Sequence, residues 1–260
     1  MNNVTTVGIM KPAFSLWWRE VIRFVRDRSR LFGALGQPLL FWLLLGGGLG
    51  GMFRLPASMG EMSYLEYLFP GILALVVLFT AIFSTISIIE DRNSGFLQSV
   101  LVAPISRSSI VLGKITGGTF LALIQAVLLC VAIPFLGIPI TGWAFLELFA
   151  ELLLIAFALT GLGYLIAWPM DSTQGFHSIM NLLLIPMWLL SGAFFPAEGL
   201  PAWLSWIMVV NPLTYGMNLI RGTLYGDVAQ MTLSWMVTIG FAIVTFIVAV
   251  ILTHRREQGS

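Results

Sequence analysis

Seven long runs of this chain contain no Asp, Glu, Lys or Arg: residues 31–53, 67–89, 115–146, 152–170, 172–197, 199–220 and 228–253. An unpaired backbone group in hydrocarbon costs several kcal/mol, and a helix pairs its own, so about 20 such residues suffice to cross a bilayer. The 260 residues are 58% apolar and 10% charged, where a soluble domain carries about a quarter charged. Such a surface is built for lipid.

Not every run is one crossing. The third is too long for a single helix, and Pro134, Gly137 and Pro139 end its first part near Phe135. The next helix then starts near Trp143 and takes in Glu147 and Glu151. Pro201, Pro212 and Gly216 break run 199–220, with Asn211 beside the second break, so it reads as a re-entrant or interfacial piece. The expectation is one all-α integral membrane domain over residues 1–260. It has six spans (31–52, 66–89, 112–134, 144–168, 173–195 and 231–253), an interfacial helix at 13–30 and a re-entrant segment at 200–220.

Basic residues favour the inner side of a membrane. With the N-terminus inside and six spans, Lys11, Arg19, Arg23, Arg26, Arg28, Arg30, Arg92, Arg107, Lys114, Arg255 and Arg256 are cytoplasmic, and Arg54 and Arg221 are not. Seven spans would leave ten inside and three outside, so charge orients the N-terminus while the proline breaks set the count. A net charge of +1 argues against nucleic acid as a partner. The single Cys130 permits no internal disulfide. Because the first apolar run follows six basic residues and no small-residue cleavage site follows it, it is expected to remain as an anchor.

Two polar stretches carry information. Before the first span, Phe14, Trp17, Trp18, Val21, Ile22 and Val25 share one side of a helix, and Arg19, Glu20, Arg23, Arg26, Asp27 and Arg30 share the other. Such a helix lies in the headgroup plane with its arginines toward anionic lipid, or serves only as a basic flank that orients the first span. Between spans two and three, residues 90–114 read EDRNSGFLQSVLVAPISRSSIVLGK. Asn93 or Ser94 can cap a short helix there, with Leu97, Val100 and Leu101 as its apolar face. Ala103-Pro104 ends it, and Ser106 to Ser109 offers the next cap. A short amphipathic helix held between two spans suits a protein that receives a mechanical push. An ordinary connecting loop with a helical turn fits the same pattern.

The 90–114 run resembles the cytoplasmic loop of type-2 ABC exporter permeases: an acidic-basic pair, a glycine, a short hydrophobic helix, a P-I-S-R turn and a G-K helix start. Residues 191–227, with a Phe-Pro end to span five, a proline-led helix, N-P-x-T-Y, then an arginine and a glycine, are similar to that family's closing segment. The N-terminal W-R-E-x-x-R-F-x-R-D-R, followed by Q-P-L-L-F-W-L-L-L-G, matches in order and spacing. The pattern is most similar to drug-resistance and nodulation-type permeases. The resemblance implies a homodimer in the plasma (inner) membrane, both termini cytoplasmic, each copy bound to an ABC ATPase subunit that holds ATP and magnesium. It also implies a coupling helix at 97–102, positioned by Glu90 and Arg92 and flanked by Gly95, Pro104 and Arg107. A Leu101→Asp change on its apolar face is then expected to abolish ATPase association. By the same resemblance Pro201, Asn211, Pro212, Tyr215 and Arg221 belong to an outer gate. Phe96-Leu97 departs from the threonine and leucine that many members carry after the glycine.

No ATPase is encoded in these residues. Gly113-Lys114 has Ser108 where a phosphate loop needs its first glycine and Ile115 where it needs a hydroxyl. No cofactor is expected in the chain itself. Gln125 and Asn181 are intramembrane amides that bond across helices or line a substrate path. Glu147 and Glu151, four apart on one helix face, read as interfacial acids near water or as proton contacts. His177 lacks the companions a zinc site needs. Ser191-Gly192 lacks the partners of a serine protease. Gly46/Gly50, Gly47/Gly51 and Gly113/Gly117 have the spacing that lets helices approach closely, although the glycines near residue 50 also fit a frayed, turn-forming helix end. With so few charges to coordinate an ion, the expected cargo is hydrophobic or lipid-linked. An ion- or proton-coupled secondary transporter, the alternative, needs ionisable residues at mid-depth, which the centres of the spans lack.

Overall fold

The computed structural model describes residues 8–26, 36, 38–48, 62–194, 201–227 and 229–255. Among these the chain is helical, without strands. In order the helices are α1 Met10–Arg26, α2 Pro38–Gly48, α3 Tyr64–Ser84, α4 Ile86–Asn93, α5 Phe96–Val102 and α6 Arg107–Cys130. There follow α7 Gly142–Ala167, α8 Thr173–Trp188, α9 Ala202–Val210, α10 Pro212–Tyr225 and α11 Met231–Arg255.

Helix α3 is the post of the bundle. It is apolar on all sides, and a helix of that kind belongs inside; Leu68, Phe69, Ile72, Leu73, Leu78 and Ile82 are fully buried. Helices α6, α7, α8 and α10 pack around it. Small residues set the closest crossings, as expected where lipid gives no hydrophobic drive between helices. A β-carbon on Gly118 would stand 2.7 Å from Thr160, and one on Gly161 2.6 Å from Thr245. Helix α11 packs on α7 and α10 and turns Leu233, Met236, Ile243 and Ile247 outward.

Local chemistry sets the helix ends. Ser63, Ser106, Thr141 and Ser172 each accept a backbone N–H at the start of α3, α6, α7 and α8. Thr85 separates α3 from α4, its N–H bonded to the Ile82 carbonyl at 3.0 Å. Beyond α6 the chain makes one 3-10 turn, Ile133–Leu136, and Gly137 closes it at φ 70°, where the prolines placed the break.

Among the described residues, five helical stretches are long and apolar enough to cross a membrane: Tyr64–Asn93, Arg107–Leu136, Gly142–Ala167, Thr173–Ala193 and Met231–His254. The expected crossing at 31–52 is represented by the shorter apolar α2, and most of its remainder lies outside the described residues. The expected segment at 200–220 consists of α9 and α10, broken at Asn211-Pro212 and running on to Tyr225; residue 200 itself is not described.

Candidate functional site

Helix α1 is amphipathic, but its charged side faces the protein. Gly113 and Gly117, one turn apart on α6, form its seat: β-carbons there would lie 2.7 Å from Leu16 Cβ and 2.9 Å from Glu20 Cβ. Ala13, Leu16, Glu20 and Val21 are buried, Trp17 packs on Phe120, and Phe14, Trp18 and Val25 stay exposed. The expectation that Arg19 and Arg23 face lipid headgroups is therefore corrected. Both are drawn inward because two acids at the end of α4 meet them there.

Those contacts build a compact ion network. Arg19 donates two hydrogen bonds to Asp91, at 2.7 and 2.6 Å, and Arg23 reaches Asp91 at 3.2 Å and Glu90 at 2.5 Å. Lys114 Nζ donates to Glu20 at 2.5 Å, to Ser87 at 3.2 Å and to Asp91. The side chains of Lys114, Glu20 and Asp91 are 4%, 6% and 1% exposed, so desolvation must be met by pairing. It is: Glu20, Glu90 and Asp91 balance Arg19, Arg23 and Lys114. Hydrogen bonding to Asp91, against the opposing effect of burial, holds the Arg19 guanidinium above its ordinary value.

Helix α5 is mounted on this network. Gly95, at φ 77°, caps it in the left-handed conformation, in place of the expected Asn93 or Ser94. The guanidinium of Arg19 lies 3.7 Å from the centroid of the Phe96 ring. Leu97 is 3% exposed, and Leu101 is half-buried against the same core. The apolar face that was expected to meet a partner is thus largely covered by the chain's own core, with Val100 half-buried beside it. Gln98 and Ser99 are exposed, and Val102 is 85% exposed. Ala103 and Pro104 end the helix, and Arg107 is the first residue of α6. Glu90 acts through Arg23. Arg92 ties the end of α4 to the α7–α8 connection through the carbonyls of Trp168 and Met170, the latter at 2.7 Å, and Asp171 at 2.9 Å. Both residues lie in α4, the helix that leads into α5, and position it from there.

Between α1, α2, α3 and α8 lies a cavity of about 580 Å³, within the range of small-molecule sites. Phe41, Leu75, Phe79, Phe83, Ile185 and Trp188 give it an apolar wall. Glu20, Arg23, Ser84, Ser87, His177 and Asn181 supply its polar groups. Trp188 is fixed by donating to the Gly71 carbonyl at 2.7 Å, and His177 stacks near Phe83 with centroids 5.0 Å apart. Asn181 lines the cavity; Gln125 is fully buried behind it and accepts at 2.5 Å from Thr80, which does line it.

At the other end α10 folds back on α3 and α7. Pro201 precedes α9, Asn211 caps α10 and donates to the Met187 carbonyl at 2.6 Å, and Pro212 takes the first helical position. Tyr215 donates to the Val209 carbonyl at 2.8 Å and Arg221 stacks over Tyr67 at 4.4 Å. Glu151 is fully buried, accepting from Thr223 at 2.7 Å. The interfacial reading of that acid is corrected, because α10 covers it; Glu147 remains half-exposed. Gly46 seats α2 against Leu65, whereas Gly50 and Gly51 lie outside the described residues. Among the described residues no cluster of His, Cys, Asp and Glu could hold a metal.

Sequence reasoning missed Asp91, Lys114 and Glu20 as one unit. The available signal was the Glu90-Asp91 pair at the end of one uncharged run and Lys114 at the start of the next.

Known proteins show the same architecture in sequence. The chain is 32% identical to the transport permease ycf38 of Cyanophora paradoxa over 222 residues, 85% of this chain and 76% of that one. It is 27% identical to Nodulation protein J of Rhizobium leguminosarum bv. viciae over 247 residues, 93% of each. It is 25% identical to the inner membrane transport permease YadH of Escherichia coli K12 over 239 residues, 90% of each. The family model described as ABC-2 type transporter matches residues 13–225, from within α1 to the end of α10. Helix bundle, loop and closing segment agree: the chain belongs to the ABC-2 type transporter family, a multi-pass membrane permease.

Proposed function

We propose that this chain forms the translocation path of an ABC exporter and is driven by a separate ATPase subunit that grips α5 from the cytoplasm. Membership of the family implies pairing with such a subunit. The observation that carries the reading is the mounting of α5. Phe96, Leu97 and Leu101 hold it to the protein while Gln98, Ser99 and Val102 are presented outward. A helix held on one side and free on the other transmits a push into α4, α1 and α6 without being pulled off. The second copy completes the path across the exposed face of α8, where Leu182 and Ile185 are 78% and 48% exposed.

The cavity supports a cargo that is largely apolar and carries a polar group, since its lining is mostly aromatic and aliphatic with a few polar side chains. A hydrophobic or lipid-linked molecule fits that division, entering beside α1 from the inner leaflet. α9 and α10, with Arg221 and Asn211, act as the outer gate. The test is ATP-dependent efflux from vesicles holding the permease and its ATPase subunit. Transport that needs hydrolysis supports the reading, and transport unaffected by ATP overturns it.

One observation favours proton coupling instead, namely the buried Glu151, of which Oε2 has no hydrogen-bond partner among the described residues. Flux driven by a proton gradient and abolished in Glu151→Gln, with the ATPase absent, would establish that alternative.

A further inference from the structure

The ion network that mounts α5 also reaches the cavity. Glu20, Arg23 and Ser87 line it. Glu20 and Ser87 hold Lys114, Lys114 holds Asp91, Asp91 holds Arg19 through both oxygens, and Arg19 lies over Phe96. Arg23 makes a second, shorter link, since it lines the cavity and bonds both Asp91 and Glu90.

We infer that occupancy of the cavity is reported to α5 through this network, with Lys114 as the positioning residue. The inference rests on the reading above of α5 as the ATPase handle and the cavity as the cargo site. Two features of Asp91 give it a physical basis. Three cations share its two oxygens: Arg19 and Arg23 meet on Oδ1, Arg19 and Lys114 on Oδ2. And Asp91 is almost wholly buried, so water cannot replace a cation that leaves. A polar cargo group that takes Ser87 or Glu20 leaves Lys114 with Asp91 as its main partner, and on Oδ2 it then competes more strongly with Arg19. Arg19 then shifts on Phe96, the first residue of α5. A cargo group that takes Arg23 has the opposite sign, because it leaves more of Asp91 to Arg19. Either way the cavity and α5 draw on the same ion pairs, so a change at one end biases the other.

The test needs no knowledge of the cargo. In a Cys130→Ala background, His177→Cys puts one thiol in the cavity lining, and N-ethylmaleimide then fills part of the space. Amide hydrogen exchange over residues 96–102 is read in the full-length chain in nanodiscs. Labelling is expected to change that exchange by about fivefold or more, the lower end of ordinary coupling between sites. Labelling Met236→Cys, which is exposed on α11 and outside the cavity, is expected to leave it unchanged. In Lys114→Gln, or in Arg19→Lys should the first variant fail to fold, His177→Cys labelling is expected to have no effect on α5. No change on labelling in the native network, or an equal change in both network variants, would overturn the inference. ATPase binding is measured on the same unlabelled protein. Its absence would overturn the functional reading alone, while the exchange data decide the coupling by themselves.

Discussion

The guanidinium of Arg19 stacks on Phe96, 3.7 Å from the ring centroid, while its nitrogens hold Asp91 in a two-pronged hydrogen bond. One side chain of α1 thereby joins the end of α4 to the start of α5. Arg19→Ala removes both contacts, and a cation over an aromatic face is worth about 0.5–2 kcal/mol by itself. The variant is expected to insert normally and to lose protection of the α5 amides. Arg19→Lys is expected to recover the charge but not the flat stacking, and so to restore protection only in part. Hydrogen exchange across residues 96–102 measures both.

Lys114→Met leaves Glu20 and Asp91 buried against each other with only Arg19 and Arg23 nearby. Breaking a buried pair by removing one partner costs about 3–5 kcal/mol. A thermal unfolding series in detergent is expected to show this variant as the least stable single substitution in the network. Arg23→Ala, at a side chain 35% exposed, is expected to cost much less.

Gly117→Leu is expected to displace α1. A β-carbon there already stands 2.9 Å from Glu20 Cβ, and overpacking of this kind costs about 1–3 kcal/mol. Increased proteolysis of the N-terminal segment reports the displacement. Gly175→Ala, whose added carbon meets nothing closer than 3.5 Å, serves as the control and is expected to behave as native.

Much of the bundle was legible beforehand because its determinants are local. Uncharged runs of span length, Ser or Thr at Ser63, Ser106, Thr141 and Ser172, and the prolines after α6 each act within a turn or two of themselves. The site was not, because its determinants are distant. Lys114 pairs with Glu20, 94 positions away, and Asp91, 23 positions away. The amphipathicity of α1 reveals two faces but not which of them the protein covers. The same holds for Leu97 and Leu101, since an apolar stripe looks identical whether its own core or a partner covers it. Glu151 reads as interfacial until α10 is seen to return over it with Thr223.

Gly95→Ala is expected to weaken the start of α5. The φ of 77° there costs a residue with a β-carbon about 1–2 kcal/mol. No neighbouring atom lies within 4 Å of the added carbon, so the strain is in the backbone and not in packing. ATPase activity in the permease complex should become less responsive to transport conditions, with membrane insertion unchanged.

The most direct measurement places a photoreactive benzoylphenylalanine at position 102 or 97 of α5 and illuminates vesicles during ATP hydrolysis. Val102 is 85% exposed and Leu97 3%. A crosslink to the ATPase subunit from position 102, and none from position 97, is the expected result. Active export with no crosslink from 102, or with crosslinks from 97 alone, would contradict the assignment of α5 as the outward-facing handle.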